Sequence, residues 1–128
     1  MLPRSYRLTR SDGYARVRRE GRSRAHPLLI LASAPNGGAS VRVGLTVGKK
    51  VGAAVARNRA KRVLREAVRL YLPRIVPGHD IVLVGRPETP GAGRDAVAAA
   101  LGQLLQRSGL LTRGVAKTEP ADATRKDG

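Results

Sequence analysis

The chain has 128 residues, 25 Lys and Arg against nine Asp and Glu, and no cysteine, for a formal charge of +16. That length sets one modest core as the expectation, and with no Phe, no Trp and three Tyr the core must be aliphatic. Disulfides and thiolate metal sites are excluded, and no secretory leader or membrane-length apolar run is recognisable. A charge this large on a soluble, cytoplasmic chain with no membrane partner therefore points to a polyanion, nucleic acid first.

In chain order, LPRSYRLTR is a basic arm, and Ser11 is suited to cap a short helix over roughly residues 12–20 that Gly21 would close in a left-handed conformation. Residues 28–34, LLILASA, form an apolar run. After the turn-like Pro35-Asn36-Gly37-Gly38 comes VRVGLTV at 41–47, apolar at alternate positions, and the two runs suggest an antiparallel hairpin. Gly48 to Gly52 makes a glycine-flanked basic turn. From about residue 53 to Tyr71 the period shifts from two to 3.6, giving the strongest helix in the chain, which ends before Pro73. IVLVG at 81–85 is another buried strand, RPETPGAG at 86–93 a loop. A last helix spans about 94–107, with Val97, Leu101, Leu104 and Leu105 on one side and Gly109 beyond its end. From Thr112 the sequence loses periodicity, so the organisation is one domain over 1–111 and a disordered tail over 112–128.

On a helical wheel, Ala56, Ala60, Val63, Leu64, Ala67, Leu70 and Tyr71 share one arc of about 120° that should face the core. The remaining circumference carries Arg57, Asn58, Arg59, Lys61, Arg62, Arg65, Glu66 and Arg69, with Val68 at its edge. Arg57, Lys61, Arg65 and Arg69 are spaced i, i+4, so each repels the next by roughly 0.2–0.5 kcal/mol. Arg57 and Arg59 also lie toward the partly positive end of the helix dipole. Solvated faces normally mix signs, whereas residues 49–69 hold eight cations and one acid. Arginine forks suit phosphate oxygens, and a face without side chains shaped for base edges suits folded RNA read through its backbone and shape.

The string RVGLTVGKKVGAAVARNRAKRVLREAVR, residues 42–69, resembles the signature of the bacterial ribonuclease P protein subunit. That signature is a strand, a Lys-Lys-x-Gly turn (Lys49 to Gly52), an Arg-Asn-Arg core (Arg57, Asn58, Arg59) and a Lys-Arg-x-x-Arg continuation (Lys61, Arg62, Arg65). The similarity reaches LPRSYRLTRSDGYARVRREGR at 2–22 and, more loosely, IVLVGRP at 81–87, so it covers about residues 2–111.

The resemblance implies an α+β fold: a small single-domain α/β sandwich whose central, mostly antiparallel sheet is packed with helices. It also implies a left-handed βαβ crossover containing the basic helix, where pattern alone would give the right-handed connection found in about 98% of cases. The implied activity is that of a ribonucleoprotein endonuclease that removes the 5′ leader from precursor tRNA. In it the protein binds one catalytic RNA, the RNA holds Mg²⁺, and the protein holds no cofactor of its own. By position, the implied contacts to the RNA subunit are Lys49, Lys50, Arg57, Asn58, Arg59, Lys61, Arg62 and Arg65. The single-stranded leader would lie in a cleft between the sheet and the first helix, with Tyr14 stacking on a base and Arg16 and Arg18 supplying cations. Two readings stay open: Asn58 as the cap of a helix turn, and Tyr14 as a core tyrosine. Arg18 stands where a second aromatic is usual, and Ala32 where some members have another. Leader binding is therefore expected to lean on cations more than on stacking, with a steeper salt dependence.

A catalytic centre is not evident. Phosphodiester hydrolysis needs a positioned water and usually carboxylate-held metals or a histidine. His26 and His79 have no spacing that suggests a pair, the carboxylates are scattered singly, and Asp80 reads as turn chemistry beside a strand. No phosphate-cradling glycine pattern is present. Composition alone would equally fit a small structural RNA-binding protein of the ribosomal kind; the 42–69 string is what separates the two.

Overall fold

In the computed structural model, which describes Leu8 and residues 10–112, the chain runs α1 (Arg10–Glu20), β1 (Arg22–His26), β2 (Leu29–Pro35), β3 (Val41–Thr46), α2 (Ala54–Arg69), β4 (His79–Gly85) and α3 (Thr89–Arg107). The expected disorder after residue 112 and most of the N-terminal arm lie outside the described residues. The strand order is β1-β2-β4-β3, with β1/β2 and β2/β4 antiparallel and β3/β4 parallel. This is the expected α+β sandwich with a mostly antiparallel sheet.

The expected hairpin between residues 28–34 and 41–47 does not form, because β4 lies between them. The reason is burial. Asp80 to Leu83 are buried in succession, on both faces of the sheet, so β4 belongs in its interior. β3 then reaches β4 by a parallel crossover through α2, the connection that parallel neighbours require. The edge strand β1, RSRAH, went unrecognised because it is polar and exposed along most of its length. Its charges suit an edge, since they discourage pairing with other chains, but they carry no apolar alternation to read.

Alternation along the strands sorts the core into two layers. Leu29, Leu31, Val41, Val43, Ile81 and Leu83 pack with α2 and α3. Ala32, Ala34 and Val82 point to the other face, where they meet Val17 of α1 and Leu8. The wheel is corrected at one end of α2: Val68 is fully buried, while Leu70 is 57% exposed. α2 packs on the sheet and on α3 together, which widens its buried arc to include Val68, and the regular helix stops at Arg69. Tyr71 follows in the turn and donates its hydroxyl to the Ala98 carbonyl at 2.8 Å. Burial raises the Tyr71 pKa, against the opposing effect of Arg74. Tyr71→Phe is expected to cost about 1 kcal/mol, the typical net value of such a hydrogen bond, measurable by urea unfolding.

Three terminus assignments also change. Ser11 lies inside α1, which begins at Arg10 and breaks at Gly13 (φ 127°). Gly21 keeps a φ outside the left-handed region; a side chain there would instead run into the backbone of Ser33 and Val17. The expected loop at 86–93 is helical from Thr89, with a break at Gly93 (φ 84°). Buried Thr89 makes this start possible: its Oγ1 accepts from Arg86 N at 2.8 Å and donates to the Leu28 carbonyl at 2.6 Å. Gly109 closes α3 in the left-handed region, as expected.

Candidate nucleic-acid interface

α2 is fixed from beneath by buried Ala60, Val63, Leu64, Ala67 and Val68, so its opposite side is presented as a firm surface. Lys49 and Lys50 lie exposed in a short 3-10 turn before it, and Gly52 (φ 138°) redirects the chain into the helix. Asn58, Arg59, Lys61 and Arg62 are exposed, and Arg57 and Arg65 are half-buried along the same side. Among the described residues none of these cations forms an ion pair. The helix starts at Ala53 with no side-chain cap and no acid in its first turn. Asn58 is five residues inside that start, which closes the capping reading. A surface of one sign, at an uncapped helix start where acids would be favourable, is suited to phosphate.

The other face of the sheet carries α1. The Tyr14 ring lies flat enough on β3 that a methyl at Gly44 would overlap it. Its hydroxyl accepts from Leu45 N at 3.0 Å and lies 3.4 Å from the Leu45 carbonyl, to which it donates. Tyr14 is half-buried, so it combines a packing role with an available ring surface. The sequence signal was Gly44 itself, because a glycine inside an alternating strand marks close approach of another group. Gly44→Ala is expected to displace Tyr14 and cost about 1–3 kcal/mol by overpacking, seen as a lower thermal midpoint and a changed near-UV tyrosine signal.

Beyond Tyr14, Ala25, Ile30, Val84 and Thr46 stand in register across the four strands. Ala25 is exposed and the others are half-buried, so this row is an apolar, accessible floor beside α1. Arg18 is exposed on α1 and has no ion pair among the described residues. Ala32, where an aromatic was weighed, is buried beneath α1 with Val17 and Val82.

Arg16 is differently engaged, and Asp80 is more than turn chemistry. Asp80 is fully buried on this same sheet face. Its Oδ2 accepts from Arg16 NH2 at 2.6 Å and Arg42 NH2 at 2.9 Å, and its Oδ1 from Arg42 Nε and Asn36 Nδ2, each at 2.9 Å. Burial pushes the carboxyl pKa up, but the hydrogen bonds from Arg42 and Asn36 and the charges of Arg42 and Arg16 outweigh it and hold the group below the usual range. The two histidines make local contacts: His26 Nδ1 accepts from Leu28 N at 3.0 Å, and His79 Nδ1 lies 3.2 Å from the Val76 and Pro77 carbonyls.

A small basic α+β sandwich with a one-signed helix on one sheet face and a tyrosine-edged floor on the other is an RNA-binding accessory protein. A protein-family model described as Ribonuclease P matches residues 2–109. The "Ribonuclease P protein component" of Roseiflexus castenholzii is 41% identical over 122 residues, covering 94% of this chain and all of the relative, and that of Chloroflexus aurantiacus is 45% identical over 111 residues, covering 86% and 82%. Among solved structures, the RNase P protein of Staphylococcus aureus superposes with a TM-score of 0.73 at 25% identity, covering 84% of this chain and 98% of that one. The RNase P protein of Thermotoga maritima gives 0.70 at 30% identity, covering 79% and 96%. The chain belongs to the bacterial ribonuclease P protein family, the protein subunits of a ribonucleoprotein endonuclease that removes the 5′ leader from precursor tRNA and whose catalysis resides in its RNA.

Proposed function

We propose that the two basic surfaces serve two RNAs. The catalytic RNA binds Lys49, Lys50, Arg57, Asn58, Arg59, Lys61, Arg62 and Arg65; the precursor's leader binds in the cleft at α1, with Tyr14 stacking on a base and Arg18 meeting phosphate, while Arg16 borders the cleft. The observation that carries this reading is their separation: α2 and α1 pack on opposite faces of one sheet, so both surfaces can be occupied together. One protein serves one catalytic RNA in the cytoplasm, the catalytic Mg²⁺ is held by that RNA, and the protein lowers the Mg²⁺ needed by screening two polyanions from each other. The β3-α2-β4 crossover is left-handed in this reading, as in the family. No described helix is long and apolar enough to cross a membrane.

The test is reconstitution of precursor tRNA cleavage at low Mg²⁺ by the protein, the RNA and both. Cleavage should require the RNA and rise sharply when protein is added. No gain over RNA alone would reject the subunit reading in favour of a structural RNA-binding protein. Within the complex, Arg18→Ala should weaken binding of leader-bearing precursor and lower its salt slope by about one contact's worth, roughly 0.7 for single-stranded RNA.

A further inference from the structure

We propose that Asp80 is a positioning residue of the leader cleft. By holding Arg16 it fastens α1 over the sheet and withholds that guanidinium from RNA, leaving Arg18 as the phosphate-facing cation of α1. The inference rests on the leader-cleft reading above and deepens it.

Three ties hold α1. Val17 is its one fully buried side chain among those described, packed with Leu8, Ala32, Ala34 and Val82. Tyr14 is bound to the Leu45 backbone, and Arg16 to Asp80. A helix broken at Gly13, with a single buried apolar anchor, has little burial to hold it in place, so its polar ties determine where it lies. The Arg16 tie is the firmer of the two, since it ends on a carboxylate that cannot move. Arg42 grips that carboxylate with two hydrogen bonds from β3. Asn36 adds a third from the β2–β3 connection, and is itself held by Gly38 N on its Oδ1 at 2.8 Å and by a bond to the Ser40 carbonyl at 3.1 Å. Asp80 therefore joins α1, β3, β4 and the β2–β3 connection.

The tie also decides which cations are available. Arg16 NH1 lies 3.4 Å from the Pro35 carbonyl and 3.8 Å from Glu20, so both ends of its guanidinium face acceptors of the protein. To reach a phosphate it would have to abandon a 2.6 Å contact with a buried charge. Arg18, two residues on, has no such partner among the described residues. Tyr14, two residues back, is set over Gly44 by the same helix position. Asp80 thus acts on the leader only through Arg16 and Tyr14.

The experiment compares holoenzymes reconstituted with wild-type protein, Asp80→Asn, Arg16→Gln, Arg18→Ala and Tyr14→Ala. Affinity is measured over a range of salt for precursor tRNA and for the same tRNA without a leader. Asp80→Asn and Arg16→Gln should each weaken leader-bearing precursor roughly tenfold, the order of one lost base stack, and leave leaderless tRNA unchanged. The double variant should be no worse than either single one. The decisive reading is the salt slope: Arg16→Gln should leave it unchanged, whereas Arg18→Ala should lower it. If Asp80→Asn does not fold, Arg16→Gln decides, since it leaves Asp80 paired with Arg42 and Asn36. A slope lowered by Arg16→Gln, or unchanged leader affinity in that variant, overturns the proposal. If Tyr14→Ala and Arg18→Ala also leave leader discrimination intact, the cleft reading itself falls.

Discussion

Replacing Arg59, Lys61 and Arg62 together with alanine is expected to weaken binding of the catalytic RNA by roughly 10²–10³-fold, taking about 1.5 kcal/mol as the lower value for each charged hydrogen bond lost and discounting for solvent. The slope of log affinity against log salt should fall by about two to three, close to 0.9 per phosphate released on duplex RNA. All three side chains are exposed, with no ion pair among the described residues, so nothing in the isolated fold depends on them. The free protein should even become more stable. Lys61 faces Arg57 and Arg65 at i±4, and removing it relieves two repulsions of roughly 0.2–0.5 kcal/mol each, while alanine is the better helix former. Weaker RNA binding from a more stable protein is the signature of a surface shaped for a partner; a variant that lost stability in parallel with binding would point to a structural role. Sulfate, which can screen the same repulsion, should stabilise the wild type more than the variant.

The sequence was most legible where side-chain period and burial coincide. α2 was delimited to within two residues at either end because its apolar arc and its cations alternate at 3.6, and β3 and β4 because they are aliphatic. What escaped was decided by neighbours. β1 is an exposed polar edge, and its strand state comes from pairing with β2 rather than from its own residues. The β2/β3 hairpin looked sound locally, but β4, buried on both faces, displaced it from the middle of the sheet. Leu70 followed the wheel into the core and the structure turned it out, since a wheel assumes that the helix continues.

The site divides in the same way. The cations of the signature could be named in advance because exposed charges need only a helix to present them. Arg16 was read as a free cation and Asp80 as a turn residue because the partnership between them spans 64 positions. One hint was present: Asp80 adjoins an apolar strand, and a buried carboxylate requires matched donors. Arg42 supplies them on the neighbouring parallel strand, directly opposite Asp80 in the register, but strand order had to be known before the two could be brought together.

Asp80→Asn is expected to be the most destabilising single substitution considered, by about 3–5 kcal/mol, the usual consequence of leaving one side of a buried ion pair without its partner. Against a total of roughly 5–15 kcal/mol for a domain, that is enough to populate the unfolded state. The wild-type contribution should also carry its own pH signature. The Asp80 carboxyl is held below its usual pKa in the folded protein, so the unfolded chain takes up its proton first as pH falls. The stabilisation is therefore complete above the unfolded value, about 3.9, and is lost as pH drops from there through the folded value. Urea midpoints of the wild type should stay level from neutral pH down to about 5 and then fall steeply below 4, while Asp80→Asn starts lower and falls less over that acid range. Arg42→Gln should cost more than Arg16→Gln, since Arg42 supplies two of the carboxylate's hydrogen bonds and Arg16 one. Parallel acid limbs in wild type and Asp80→Asn would mean that the acid sensitivity belongs to other carboxylates and that the clamp contributes little to folding.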